Sequence, residues 1–404
     1  MKHLVILTDG MADEPMPEQG GRTLLQLAHT PGMDRLARCG RNGRLLTIPT
    51  GFPAGSEVAH LSLLGYDLKQ VYQGRAGFEA LALGLRPAAD ELLLRCNLIS
   101  VEQGRVVSHS AGGVGQEEAE VLVKHLQAAL GNETLRFHIG KGYRHLLSLK
   151  RGSGFLKSMP PHEALQSPIN SLRLIPLAEE ARYTADCLNR LAVAACSELS
   201  IHPMNESRRR RGLLPANGIA LWDAGFCRGL EPLHTKFPTL GRGAMIAGTD
   251  LLKGMGRSMG LDVWPVEGAT GGLDTNYRNK RLAALSALKT HDFVFLHMEA
   301  CDEAGHEGNA EAKLRAIEAI DREVVSPLCE ALMCPDAEPV AVALLPDHAT
   351  PVARRVHTAE PIPFLIWYPE IEADEVEVFD EQAAHQGHYG LLEGDAFIRL
   401  FSTL

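Results

Sequence analysis

The stretch Ala300-Cys301-Asp302-Glu303-Ala304-Gly305-His306 sets an acid and an imidazole four residues apart. On a helix that spacing brings both side chains to one face, as two ligands of one metal ion require. The next apolar run, Val340–Leu345, is followed by Pro346-Asp347-His348-Ala349-Thr350. Side chains of an adjacent Asp and His diverge on a regular strand, so Asp347 and His348 suit two neighbouring ions better than one. His357 comes on the loop beyond, and Asp9 closes the first apolar run of the chain. Three carboxylates and three imidazoles suffice for a two-metal centre, and such mixed donors suit Mn or Zn better than Ca, with Mg a further option. Singly, each acid is equally well explained as a helix cap or turn former, and each histidine as a satisfied core or surface group. Their shared position at strand ends is what points to metal.

A nucleophile candidate lies in Gly55-Ser56-Glu57-Val58-Ala59-His60-Leu61, where Ser56 stands at the start of a helix expected to reach about Leu64. Ser56 is either an N-cap or a hydroxyl that a helix N-terminus and a metal ion activate for attack on phosphorus. A Ser-His-Asp triad has no support, because the chain carries no GxSxG elbow.

The elements that must hold these residues follow from the apolar pattern. Leu4–Leu7, Phe293–Leu296 and Val340–Leu345 are near-continuous hydrophobic runs, as strands buried on both faces should be. Alternating with helical patterns, they predict an α/β core, a mostly parallel sheet flanked by helices, with ligands gathered outside the carboxyl ends of its strands. The middle of the chain differs. Ala119, Leu122, Leu126 and Ala129 make one helical stripe within 114–130, and Leu135, Phe137 and Ile139 alternate as in a half-buried strand. A second helix over about 177–197 and an extended Asn217–Trp222 complete an α+β insertion. The expected organisation is a catalytic core from residues 1–85 and 235–404, with an inserted substrate-binding cap over 86–234.

Composition narrows the function. The 404 residues include 40 Lys+Arg against 50 Asp+Glu, a net charge of -10, which argues against nucleic-acid binding. No apolar run is long enough to span a membrane. The N-terminal run is too short for a secretion signal and meets Asp9 where cleavage would fall, so a cytoplasmic location is expected. Eight scattered cysteines without a CxxC pair fit reduced thiols. Oligomeric state is not legible.

Asp9-Gly10-Met11-Ala12-Asp13, Gly55–Leu61 with Leu64-Gly65-Tyr66-Asp67, Asp302–His306, Asp347-His348 and His357 closely resemble the archaeal-type cofactor-independent phosphoglycerate mutases of the alkaline phosphatase superfamily. The resemblance extends through His202–Asn205, Gly212–Asn217, Leu252-Lys253-Gly254 and Val266–Gly271. It implies an alkaline phosphatase-like core, two divalent ions, and a phosphoserine at Ser56 that carries the phosphoryl group between 3-phosphoglycerate and 2-phosphoglycerate, a small anionic metabolite. By the same resemblance, Asp9, Ser56, Asp347 and His348 surround one metal, and Asp302, His306 and His357 the other. Arg75, Arg95, Arg208 and Lys253 are the candidates for holding the substrate's anions. One stretch departs from the family. Where the mutases carry an Arg-Arg-Ala-Gly-Arg loop, this chain reads Ser108-His109-Ser110-Ala111-Gly112-Gly113. A sub-branch with that altered loop resembles proposed homoserine kinases, so transfer to homoserine or another small alcohol stands as an alternative. A phosphatase of the same superfamily and a non-catalytic binding protein complete the alternatives.

Overall fold

Strand β1 (Lys2–Thr8) buries every residue but its first, and β5 (Phe293–Met298) and β6 (Val340–Leu345) are buried along their whole length. Such runs are stable only inside a sheet covered on both sides. In the computed structural model, which describes residues 1–72, 74–227 and 229–404, they form the centre of an eight-stranded sheet. Its remaining strands are β2 (Arg41–Leu46), β3 (Gly243–Ile246), β4 (Asp262–Val263), β7 (Ile362–Trp367) and β8 (Leu391–Glu393), in the order β4-β3-β5-β1-β6-β7-β2-β8. The first five in that order run parallel, and β7 is antiparallel to both its neighbours. Leu4, Ile6, Val294, Leu296, Val342 and Leu344 share one core with Leu36, Ala284 and Ile317 from the helices on that face. On the other face His60, from helix α1 (Ser56–Leu63), packs edge-on against Phe295.

Register fixes the site. Thr8 pairs with Met298, and Leu7 with Leu345, so the three central strands end at one level. Asp9, helix α2 (Ala300–Glu307) and the Asp347-His348 pair all leave the sheet from that edge.

The chain divides into two units, one of Met1–Tyr72 with Gly229–Leu404 and one of Gln73–Arg228. Both junctions thus fall earlier in the chain than the expected 86–234. Helix Ala76–Ala82 belongs with the inserted unit because Ala76 and Ala80 pack on Leu93 and Leu146. That unit is an antiparallel sheet of Glu91–Glu102, Arg105–Ser108, Leu135–Lys141, Arg144–Lys150 and Gly218–Phe226. Helices Gln116–Leu130 and Arg182–Ser200 contribute Leu122, Leu126, Leu188 and Leu199 to its core. All eight cysteines are free, and no helix among the described residues is long and apolar enough to cross a membrane.

Candidate metal centre

Asp9 follows β1 directly, its N–H donating to Met298 O at 2.7 Å. Gly10 then turns with φ +63°, and a Cβ there would stand 2.7 Å from both Asp302 Cα and Thr350 Oγ1. Only glycine lets these three loops come together. Asp347 and His348 lie beyond the end of β6, in a bend, so the divergence expected of neighbours on a regular strand does not apply. Both point inward. Asp347 Oδ2 and His348 Nε2 are 3.4 Å apart, and Asp9 Oδ1 is 3.5 Å from the same nitrogen. Candidate ligand atoms of Asp9, Asp347 and His348 lie within 4.8 Å of one another.

Asp302 and His306, one turn apart on α2, meet His357 to form a second such group. His306 Nε2 and His357 Nε2 face each other at 2.8 Å, each 3.3 Å from an Asp302 oxygen. The two groups are neighbours, since the His348 and His357 rings are 4.0 Å apart.

Hydrogen bonding settles how the imidazoles are oriented. His306 Nδ1 lies 3.0 Å from Arg355 O, and His357 Nδ1 3.2 Å from Ala54 O. A carbonyl can only accept, so Nδ1 carries the proton in the neutral ring and each Nε2 presents a lone pair. His348 Nδ1, 3.2 Å from Thr350 Oγ1, follows the same rule, because that hydroxyl donates its own proton to Asp302 at 2.6 Å. Asp9 Oδ1 and Asp347 Oδ2 are buried without an aligned hydrogen-bond partner, although His60 Nε2 approaches Asp347 Oδ2 to 3.2 Å. Unpaired carboxylate oxygens of this kind are costly unless a cation faces them, so these residues fit divalent metal.

The electrostatics agree. Burial, reinforced by Asp347 and Asp302, pushes the Asp9 carboxyl well above its ordinary range. Burial would raise Asp347 too, but His348 and His60 hold it below. His348 is lowered to about 4 by burial, so its ring is neutral near pH 7. The hydrogen bond to Asp302 raises His306 to about 9.

Ser56 is the first residue of α1, with Gly55 as the cap, so its hydroxyl is not spent on capping. Its Oγ stands 3.2 Å from His348 Nε2, among the first group of ligands.

The anion-binding candidates fare differently. Arg208 is 2% exposed, donates to Leu214 O and Ala111 O at 2.8 and 3.0 Å, and pairs with Glu118. It is therefore a structural cation that pins the 108–113 loop, with no surface to offer a ligand. Arg95 lies over the Trp222 ring at 4.0 Å with Nε 3.1 Å from Glu79, and the Arg75 N–H donates to Asp223. Both belong to the inserted unit. Lys253, in the sheet unit, donates to Gly248 O at 3.0 Å.

Sequence reasoning passed over His60 and His297, which with Asp9 make a third group of potential ligands. A histidine inside Phe-Val-Phe-Leu-His297-Met was the available signal, since a strand buried on both faces has no solvent for an imidazole.

Residues 37–205 match the family model for 2,3-bisphosphoglycerate-independent phosphoglycerate mutase. A protein of that name from Methanosarcina barkeri is 42% identical over 400 residues, 98% of each chain. The chain belongs to this family. A probable phosphoglycerate mutase of the same type from Geobacter sulfurreducens is 40% identical over 402 residues, again 98% of each chain. Among solved structures, a Pyrococcus horikoshii protein superposes with a TM-score of 0.82 at 31% identity, covering 100% of this chain and 96% of its own. The cofactor-independent phosphoglycerate mutase of Thermoplasma acidophilum gives 0.69 at 28%, covering 100% and 99%. For a phosphoglycerate mutase, a hydroxyl beside two paired ligand groups is the arrangement phosphoryl transfer asks for.

Proposed function

We propose that this chain interconverts 3-phosphoglycerate and 2-phosphoglycerate through a phosphoserine at Ser56, with two divalent ions, Mn or Zn, held by Asp9, Ser56, Asp347 and His348 and by Asp302, His306 and His357. The observation that carries the reading is the convergence of Ser56 Oγ with the His348 ring and two unpartnered carboxylate oxygens at one sheet edge. Bound ions would lower the pKa of the serine hydroxyl and neutralise charge on the phosphoryl group. Ser56 Oγ bonds to phosphorus as the bond to the 3-oxygen of glycerate breaks, and the proton lost by the serine balances the one that oxygen gains. Return of the phosphoryl group to the 2-oxygen restores the free serine. Arg75, Arg95 and Lys253 remain the candidates for binding the substrate's anions.

Incubation with manganese and 3-phosphoglycerate should yield 2-phosphoglycerate. Ser56→Ala should reduce turnover to background while manganese content stays at two ions per chain; undiminished turnover would sink the covalent route. A second reading, transfer to homoserine or another small alcohol, draws support from the arginine-free 108–113 loop. Phosphohomoserine formed without 2-phosphoglycerate would favour it, and free phosphate as the main product would favour a phosphatase.

A further inference from the structure

His297 lies outside both proposed ligand groups, at the penultimate position of β5, and is fully buried. Its Nε2 stands 2.9 Å from Asp9 Oδ2 with hydrogen-bond alignment. As a metal ligand Asp9 must be ionised, and a carboxylate oxygen cannot donate, so in that form Nε2 carries the proton and the bond runs from His297 to Asp9. That occupies Oδ2 and leaves Oδ1, the unpartnered oxygen, as the one facing His348. Both the ring and the backbone of His297 are held. The His60 ring packs edge-on against it at 5.4 Å, and the buried Lys280 Nζ donates to His297 O and Thr270 O, both at 3.2 Å.

We propose that His297 is a positioning residue for the metal centre, which selects the Asp9 oxygen that meets the ion. A carboxylate without such a partner can rotate, bind through either oxygen or bind through both, and the site loses definition. The inference rests on the metal-site reading above. The alternative is that Asp9, His60 and His297 close on a third cation of their own. The aligned 2.9 Å bond favours the donor role, because a metal-bound nitrogen has no proton to give.

The test uses the full chain with His297 replaced by Leu, Asn and Gln, manganese binding by calorimetry, ion counts by elemental analysis, and circular dichroism to confirm folding. Gln reaches far enough to place an N–H near Asp9, and Asn does not. Wild type should bind two ions. His297→Leu and His297→Asn should weaken one of the two affinities by about 10–100-fold, the range typical of lost partners to metal ligands, and His297→Gln should recover most of it. If the Leu variant does not fold, the Asn and Gln pair carries the same comparison. Unchanged affinity in the folded Asn variant, or equal loss in Asn and Gln, overturns the inference alone. Three ions in wild type falling to two in the Asn variant overturns it in favour of a ligand. Wild type that takes up no manganese overturns both the inference and the site reading.

Discussion

Lys313, on helix α3 (Ala310–Ile320), is fully buried, and its ammonium donates to Ala12 O, Asp13 Oδ2 and Thr350 O at 2.9, 2.8 and 2.9 Å. Those acceptors sit on the loop after Asp9 and the loop after His348, so one cation ties together the backbone that presents the ligands. Lys313→Met keeps the side-chain volume and removes the charge. Asp13 is then left with backbone N–H donors only, from Glu14 and Val352, Thr350 O loses the ammonium, and Ala12 O keeps only the Thr350 N–H at 3.3 Å. Removing one member of a buried ion pair costs about 3–5 kcal/mol, because the other charge stays buried without compensation. At about 2–4 °C per kcal/mol for a unit of this size, the melting transition of the sheet unit should fall by about 6–20 °C. Thermal unfolding followed by circular dichroism, in excess chelator so that metal does not mask the effect, measures it. Adding Asp13→Asn removes the stranded charge, so the double variant should be at least about 1 kcal/mol more stable than the sum of the single losses. A loss below 1 kcal/mol for Lys313→Met, or strict additivity in the cycle, would refute the reasoning.

Further predictions bear on the charged groups of the site and of the inserted unit. Manganese affinity for the Asp302–His306–His357 group should rise with pH and level off above about 9, because His306 is raised to about 9 by its bond to Asp302 and must lose its proton to bind metal. In the metal-free protein the sign reverses: protonation of His306 stabilises the fold, fully below its unfolded pKa of about 6.5, and that contribution disappears as pH rises through about 9. Calorimetric titrations from pH 6 to 10, in buffers of different ionisation enthalpy to count released protons, check both statements, and a pH-independent affinity would contradict them. Arg208→Met and Arg95→Met should separate structure from binding. The first should destabilise the inserted unit by about 1–3 kcal/mol through its unpaired acceptors, and the second should raise the KM for phosphoglycerate; reversed effects would exchange the two roles.

The parts of the site legible in the sequence were those set by local periodicity. Runs such as Phe293–Leu296 and Val340–Leu345 announce strands buried on both faces, and the Asp302–His306 spacing announces one helical face. Whatever depends on where an element ends, or on residues distant in the chain, was not legible. Asp347 and His348 point the same way only because β6 stops at Leu345. Ser56 could be a cap until Gly55 is seen to take that position. The Arg208–Arg211 run shows no local reason for one member to turn inward; Glu118 and Leu214 O, contributed by other segments, bury Arg208 while the next three stay exposed. The domain junctions moved for the same reason, since the apolar face of Ala76–Ala82 does not reveal which unit it will meet.

The charge balance gains meaning at this level. A net charge of -10 excludes a phosphate-tracking surface yet leaves open a phosphate-binding point, and the difference lies in where the carboxylates are. Asp9, Asp302 and Asp347 are drawn inward to one sheet edge, where their ion-pair partners are imidazoles, and His348 and His297 are kept neutral by burial. Lys313, a buried ammonium bonded to these loops, is committed to Asp13. Three acids in such surroundings are unfavourable alone and favourable around divalent cations, which reverse the local sign and create the positive field an anionic substrate needs. The negative charge that disfavours phosphate over the whole molecule is therefore, at this edge, the means by which phosphate would be held.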